Sequence, residues 1–165
     1  RSIAAGNFDG EGLASRRNAL IEDGVLQMFL HHTWSARKAG ASSTASASRG
    51  YSSTPHASAR ALQVAPGDAG DRDALLRSVG DGVYVQSVSG LHSGVNPISG
   101  DFSVGMTGRA IRDGQLAEPL REATIASTLQ RLLLDIVAIG SDLDWSNGGT
   151  VVPLLAIEGV SLSGS

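Results

Sequence analysis

The stretch from Gly90 to Gly114 constrains the fold of this 165-residue chain more than any other part of it. Glycine stands there at positions 90, 94, 100, 105, 108 and 114, among residues that often alternate between apolar and polar, and the stretch ends in an Asp-Gly pair. Glycine permits positive φ and lets a second backbone approach closely. So many special backbone positions predict a shaped edge or groove rather than ordinary core.

Length and composition indicate a globular domain. A chain of this length buries roughly 70% of the surface that it exposes when unfolded. The net charge of −3 disfavours a dedicated nucleic-acid binder, which would usually be basic. Aromatic residues make up only 4% of the chain, so stacking platforms for single-stranded nucleic acid are scarce as well. We therefore expect no direct binding to nucleic acid.

The sequence contains no cysteine, which excludes disulfides, a thiolate nucleophile and thiolate metal ligands. Its longest apolar run, residues 132–139, is interrupted by Asp135 and is far shorter than a membrane span. No signal peptide is visible, and we expect a cytoplasmic protein without a membrane partner. Because the chain begins at Arg1 rather than at methionine, we expect residues 1–165 to be one domain of a longer polypeptide.

Turn signals divide the first part of the chain into short elements. Asp23-Gly24, between two apolar runs, predicts a hairpin within residues 16–32. A short helix is expected next, capped by Thr33 and ended by Gly40. Residues 41–54 are rich in alanine, serine and threonine and have little to bury, which predicts a mobile loop or one that a partner orders.

One long segment of the chain has no negative charge. Between Asp23 and Asp68 there is no acidic residue, whereas four cations fall in that interval, at Arg37, Lys38, Arg49 and Arg60. Two interpretations remain open. The segment is either a solvated loop with scattered cations or a positive patch for a carboxylate or another acidic surface.

The rest of the chain predicts more strands than helices. In order, we expect a strand at 61–64, a helix at 71–79, a strand at 83–88 and a hairpin around Asp113-Gly114. A helix is expected from Ser127 to Ile139, with Ser127 and Gln130 as its capping box. A turn at Gly148-Gly149 and strands at 151–157 and 160–162 are expected after it. Many short strands with about three helices predict an α+β fold with a mainly antiparallel sheet.

The four histidines do not have the spacing of a metal site. His31 and His32 are adjacent, so on a strand they would point to opposite faces. His56 lies near the expected mobile loop, and His92 stands alone. The chain also lacks a P-loop, a G-x-S-x-G elbow and a His-Glu-x-x-His helix. None of these common catalytic or phosphate-binding constellations is therefore expected.

Two further groups of polar residues have simple structural interpretations. Ser35 and Lys38 match S-x-x-K, in which a lysine acts as the base for a serine, but the companion motifs are absent and a solvated helix face is favoured. Asp9 and Glu11 are too few for a calcium cage. We expect their carboxylates to accept hydrogen bonds from the backbone amides of a turn.

The glycine-rich stretch holds the candidate functional residues. Asp101 and Ser103 share one face of a predicted strand, and Phe102 is expected to be buried on the other. With His92 they suggest a Ser-His-Asp grouping, although hydrogen bonding to a bound backbone is the better use of such residues. The glycines are expected to leave backbone accessible for strand addition by a peptide. The candidate residues of a peptide cleft or subunit interface are His92, Asn96, Gly100, Asp101, Phe102, Ser103 and Gly105.

An ordered set of motifs resembles one known family. Phe8-Asp9-Gly10-Glu11-Gly12, then Leu20-Ile21-Glu22-Asp23-Gly24-Val25-Leu26, then Ser35-Ala36-Arg37-Lys38-Ala39-Gly40 resemble the C-terminal domain of TldD/TldE (PmbA) proteins. The pattern Gly94-x-Asn96-x-x-Ser99-Gly100-Asp101-Phe102-Ser103-x-Gly105 is similar to the TldE/PmbA branch. Arg112-Asp113-Gly114 and the run from Pro119 to Ala126 continue the resemblance, whereas Ser127-Thr128 replaces a Gly-Asn pair frequent in relatives.

This resemblance implies the fold of that domain and one subunit of a heterodimeric metalloprotease that acts on small unstructured peptides. The family is also labelled a modulator of DNA gyrase. In the TldD branch a His-Glu-x-x-x-His helix and a later cysteine hold zinc, and this sequence has neither, with no thiol near Asn147-Gly148-Gly149-Thr150. We therefore expect a metal-free, non-catalytic subunit without a cofactor. Its expected partners are a TldD-like zinc-bearing subunit, a second copy of the chain, and a peptide.

Two other functions stay open. The chain is alternatively a homodimeric binding or scaffold protein without protease activity. It is alternatively an independent hydrolase that uses serine or Asp/His groups. Co-purification with a zinc-binding relative separates the first alternative from the subunit role, and peptide cleavage by the full-length protein alone would favour the second.

Overall fold

The computed structural model describes residues 4–143 and 149–164 of the chain. Contacts group these residues into two compact units. Unit 1 comprises residues 4–63 and 149–151, and unit 2 comprises residues 64–143 and 152–164. Whether residues 1–165 act as a single domain stays a prediction. The predicted Gly148-Gly149 turn begins outside the described residues.

The described residues form twelve strands and four helices. In chain order these are β1 (Ile21–Glu22), β2 (Val25–Leu26), α1 (Thr33–Lys38), β3 (Ala47–Ser48), β4 (His56–Ala57), β5 (Leu62–Gln63), α2 (Arg72–Val79), β6 (Gly82–Ser89), α3 (Leu91–Gly94), β7 (Asp101–Arg112), β8 (Gln115–Thr128), α4 (Leu129–Leu134), β9 (Ile136–Leu143), β10 (Thr150–Val151), β11 (Pro153–Ile157) and β12 (Ser161–Ser163). Strand pairs are antiparallel except β5 with β10, which confirms the expected fold class. No helix in the described ranges is long and apolar enough to cross a membrane.

The first hairpin of unit 1 forms where Asp23-Gly24 predicts it. Both turn residues have positive φ, 50° and 76°, which suits the tight turns that match strand twist. Ile21 pairs with Leu26, and each strand is only two residues long. The apolar side chains of both strands remain exposed. They are not buried against the rest of unit 1, so such burial does not lengthen the two strands.

Helix α1 begins at Thr33 itself, one residue earlier than it would if Thr33 were the N-cap. His32 is the N-cap, and its backbone N–H donates to Ser35 Oγ at 3.1 Å. Thr33 instead donates its N–H and hydroxyl to Glu11 Oε2, at 2.9 and 2.7 Å. The predicted end is confirmed, because Gly40 has a φ of 64° just after the last turn.

Residues 44–47, in the middle of the segment 41–54 that was predicted to be a mobile loop or one ordered by a partner, belong to the packed core instead. Thr44, Ala45, Ser46 and Ala47 are buried, and Ala47 is fully enclosed. The Thr44 hydroxyl accepts from the His31 N–H and bonds to the His31 carbonyl and to Ser46 Oγ. These buried polar atoms therefore have hydrogen-bond partners close by. Small side chains let these backbones pack closely, and that is how a segment with little apolar volume forms core.

Unit 2 contains a four-stranded antiparallel sheet in the order β12-β8-β7-β6. The long β7 and β8 are joined at Asp113-Gly114, where φ is 49° and 73°, and this confirms the second predicted hairpin. Along β7 the side chains alternate between exposed and buried. Phe102, Val104 and Met106 form the buried face.

Helix α2 matches its prediction closely. Asp71 is the N-cap, and its carboxylate accepts from the Ala74 N–H at 2.8 Å. Leu75 and Leu76 are buried, and Gly80 follows the helix with a positive φ of 70°. The expected strands at 151–157 and 160–162 are present as β10, β11 and β12, with a break at Val152.

The long helix predicted from Ser127 to Ile139 is wrong. Strand β8 continues to Thr128, which caps a six-residue helix by accepting from the Arg131 N–H, and residues from Ile136 onward form β9. Leu133 and Leu134 are exposed rather than on a buried helical face. Pairing of β9 with β11 outweighs local helix propensity, and the β-branched residues of β9 favour a strand.

Candidate functional site

Toward the Asp101 end, one face of the four-stranded sheet carries almost only small and hydroxyl side chains, whereas Arg109 stands on the same face nearer the β7–β8 turn. In antiparallel pairs, directly opposed residues lie on the same face. One row across all four strands therefore consists of Ser89, Gly105, Thr124 and Ser163. We call this surface the hydroxyl face. It comprises Ser87, Ser89, Ser103, Gly105, Thr107, Thr124, Ala126, Thr128, Ser161 and Ser163, with Asp101 at its end.

The hydroxyl face is open to solvent at its centre. Ser87, Ser103 and Thr107 are exposed, and the Ser87 and Thr107 hydroxyls lie 2.6 Å apart across two strands. Short side chains lose little rotamer freedom when they are covered. A surface of short side chains can pack against another surface at low entropic cost while offering many hydrogen-bonding groups.

The sequence-predicted site residues divide between this face and its support. Asp101, Ser103 and Gly105 belong to the hydroxyl face. Phe102 lies on the opposite side of β7 and is buried, as the alternating pattern predicts. Whether these residues line a peptide cleft or a subunit contact stays a prediction.

Asn96 builds the turn that leads into β7. Its side-chain Oδ1 accepts from the backbone N–H groups of Ile98 and Ser99, and its backbone N–H donates to the Asp101 carbonyl at 2.8 Å. Gly100 occupies a φ of 82° in this turn. Ser99 Oγ donates to Asp101 Oδ2 at 2.6 Å, which fixes the carboxylate at the end of the sheet.

His92 lies in α3, apart from any hydrogen-bonded triad. Within the described ranges, no hydrogen bond joins its ring to Asp101 or Ser103. The Asp101 carboxylate is held by Ser99 instead. The geometry thus gives no support to a Ser-His-Asp grouping at this site.

The glycines of this stretch do not create a free backbone edge on β7, so the expectation of strand addition there is wrong. Strand β7 pairs with β6 on one side and with β8 on the other, and Phe102 bridges Val95 where β6 has ended. A Cβ on Gly94 would overlap the Ser103 carbonyl oxygen. Gly94 and Gly108 thus let neighbouring backbones approach closely.

A second polar cluster, in unit 1, escaped sequence reasoning. His31 and His32 are not in a strand, and both rings approach Ser35 Oγ through Nδ1, at 3.3 and 3.0 Å. The sequence signal for this cluster was that the two histidines precede Ser35 by four and three residues at the start of a helix. Lys38 does not act as a base for Ser35, because its Nζ lies over the Trp34 ring, 4.6 Å from the ring centroid.

Asp9 and Glu11 behave as the turn residues that the sequence indicated. Burial raises the pKa of the Asp9 carboxyl, but hydrogen bonds from the backbone N–H groups of Ala47, Leu13 and Glu11 lower it below the ordinary value overall. The hydroxyl and N–H of Thr33 hold the pKa of Glu11 below its usual range. Both carboxylates stabilise local structure as anions.

The described residues do not fit a zinc ion. No three side chains from histidine, cysteine, aspartate and glutamate converge in residues 4–143 and 149–164. A protein zinc site uses at least three such ligands. The region near Asn147, where a thiol was sought in the sequence, lies largely outside the described residues.

The chain has clear relatives. The family model for the PmbA/TldA metallopeptidase C-terminal domain matches residues 1–164. A PmbA metalloprotease homologue of Haemophilus influenzae is 35% identical over 87% of this chain and 30% of its own length. The metalloprotease PmbA of Escherichia coli O157:H7 is 30% identical over 96% of this chain and 34% of its own length. The chain thus spans about a third of the relatives it matches.

Solved structures agree with this relationship. A putative modulator of a DNA gyrase from Thermotoga maritima superposes with a TM-score of 0.86 at 30% identity, over 98% of this chain and 36% of that one. TldE from Thermococcus kodakarensis shares the fold, with a TM-score of 0.81 at 22% identity over 96% of this chain and 36% of its own. The chain belongs to the PmbA/TldD metallopeptidase family and forms its C-terminal domain.

Proposed function

We propose that this chain is part of the metal-free, non-catalytic subunit of a peptide-cleaving assembly and that its hydroxyl face docks a TldD-like zinc-bearing subunit. Membership of a metallopeptidase family supports the link to proteolysis. The lack of cysteine in this domain supports placing the zinc in the partner. The proposed substrate is a small unstructured peptide.

The observation that carries the proposal is the exposure of Asp101 and Ser103 on the hydroxyl face of the four-stranded sheet. These residues belong to the motif that resembles the TldE/PmbA branch, yet neither is used in the core. Asn96 and Gly100, two other members of the motif, build the turn that positions them. The solvated face of an antiparallel sheet is polar in any case, but short hydroxyl side chains also leave it able to pack closely against a partner.

Replacing Ser103 with arginine tests the docking surface. The long cation would stand at the middle of the hydroxyl face and hold the two surfaces apart, so we expect the affinity of the full-length protein for a TldD-type subunit to fall by about tenfold or more. Co-purification and light scattering measure the complex. Ser141→Arg is the matched control, because Ser141 is an exposed serine on β9 outside this face.

The outcome separates the candidate functions. A Ser103→Arg variant that folds and assembles as tightly as the wild type contradicts docking through the hydroxyl face. Self-association of the wild type without binding to a zinc-bearing partner favours the homodimeric scaffold. Cleavage of an unstructured peptide by the full-length protein alone favours the independent hydrolase.

Metal analysis tests the non-catalytic assignment. After dialysis, the purified chain is expected to retain no stoichiometric zinc, because its histidines are dispersed and it has no thiol. A content of about one zinc per chain would place a metal centre in this subunit and overturn the assignment.

A further inference from the structure

Unit 1 contains an open groove with a volume of about 410 Å³ that the proposed docking surface does not include. One wall is the chain that follows β2, and the other is the segment at 41–44. We call it the Arg16 groove. Its lining includes Arg16, Asn18, Met28, Phe29, His31 and Ser43.

The polar side chains of the Arg16 groove are held in place by the buried segment beneath it. Arg16 donates from Nη2 to the Ser43 carbonyl, and Asn18 donates from Nδ2 to the Thr44 carbonyl at 2.9 Å. The His31 ring is fixed through Nδ1 to Ser35 Oγ. The groove therefore presents a positioned cation and does not need to order a freely moving one.

The charge of the groove is not balanced from within. No lining residue is acidic, and in the described part of the chain Arg16 has no carboxylate within ion-pair distance. Only one of its N–H groups is taken by the Ser43 carbonyl. A guanidinium offers five donors in a planar fork that matches a carboxylate.

Apolar side chains flank this cation. Met28 and Phe29 are 37% and 69% exposed. Both side chains lie beside Arg16 in the lining, so apolar contact and charge pairing are available to one ligand. A ligand that fits the groove combines one carboxylate with neighbouring apolar groups.

We propose that the Arg16 groove binds an extended peptide segment, with an internal aspartate or glutamate side chain on Arg16 and apolar neighbours against Met28 and Phe29. A carboxylate at a chain end offers the same chemistry as an internal one, and the peptides described below distinguish the two. Most of the groove is formed by residues between positions 24 and 67, and this interval contains no acidic residue. No carboxylate from this part of the sequence therefore repels the carboxylate of such a ligand. The proposal does not depend on peptide cleavage.

Binding of short peptides to the purified protein tests it directly by fluorescence anisotropy. The first probe is a labelled pentapeptide with a central glutamate between two leucines and an amidated C-terminus. The second has glutamine in place of the glutamate, and the third has that glutamine and a free C-terminal carboxylate. We expect the glutamate peptide to bind about fivefold more tightly than the glutamine peptide, with the difference shrinking as salt is raised.

Variants assign the effect to the groove. Arg16→Gln should remove the preference for glutamate and leave the affinity for the glutamine peptide unchanged, whereas Arg17→Gln, the adjacent exposed arginine outside the lining, should leave both affinities unchanged. Phe29→Ser should weaken both peptides.

Three results would overturn the proposal. One is equal affinity of the wild type for the glutamate and glutamine peptides. Another is tighter binding of the peptide with the free C-terminus than of the glutamate peptide. The third is loss of the glutamate preference in Arg17→Gln but not in Arg16→Gln.

Discussion

Replacing Asp9 with asparagine is expected to lower the free energy of unfolding by about 2–3 kcal/mol. Asp9 is buried, and its two oxygens accept three backbone N–H groups, from Glu11 and Leu13 at 2.9 Å and from Ala47 at 3.1 Å. Asparagine keeps only one acceptor oxygen and turns an NH₂ donor toward a backbone donor. At least one buried N–H group then loses its partner, and the charge assistance of the remaining bonds is lost.

The same contacts make a prediction about pH. Because the pKa of Asp9 is lower in the folded chain than in the unfolded one, the unfolded state binds more protons between the two values. The stabilisation is fully present above the ordinary aspartate pKa and is lost as the pH falls through the folded-state pKa. Urea unfolding of wild type and Asp9→Asn at a series of pH values should therefore show curves that converge in acid.

A matched control is available in the same turn. Glu11 is also an anion with a lowered pKa, but it is exposed, so Glu11→Gln should cost much less stability than Asp9→Asn. Equal losses for the two variants, or an Asp9→Asn variant as stable as the wild type at neutral pH, would contradict this role of Asp9.

Replacing Gly108 with alanine is expected to destabilise unit 2 by about 3 kcal/mol. Gly108 is buried at the centre of the sheet, between Val85 of β6 and Leu120 of β8. A Cβ there would overlap the Tyr84 carbonyl oxygen, which belongs to the backbone of the neighbouring strand and cannot move without breaking the ladder. The measurement is the midpoint of urea unfolding, followed by far-ultraviolet circular dichroism.

Gly105→Ala is the control in the same strand. Its Cβ would lie 2.7 Å from Ser89 Oγ, the end of a side chain that can rotate away, so its loss of stability should stay below about 1 kcal/mol. Similar losses for both alanine variants would show that close backbone approach is not what Gly108 provides.

The sequence predicted well those elements whose cause is local. Asp23-Gly24 and Asp113-Gly114 each act within a few residues, so turn chemistry alone places the two hairpins. The alternation of Phe102, Val104 and Met106 likewise predicted which side of β7 is buried. Because residues at every second position share a face, Asp101 and Ser103 were assigned together correctly.

Elements decided by distant partners were mispredicted. Residues from Ile136 onward look helical by composition, but pairing with β11 makes them a strand. The segment 44–47 looks like a linker, yet it is core because Asp9 and Gly10 bond to Ala47 from far away in sequence. The hydroxyl face has the same origin, since β6 and β12 join its rows through pairings that no local pattern encodes.

The parallel pairing of β5 with β10 affects the order in which the chain can fold. Leu62 pairs with Thr150 and Gln63 with Val151, so unit 1 is completed by residues that follow nearly all of unit 2 in sequence. Closing so long a loop is entropically costly, and contacts of this kind form late. During synthesis, the hairpin of β7 and β8 has every residue it needs before unit 1 receives Val151, which is almost completely buried. Unit 1 must therefore wait, incompletely packed, until the ribosome has passed residue 151.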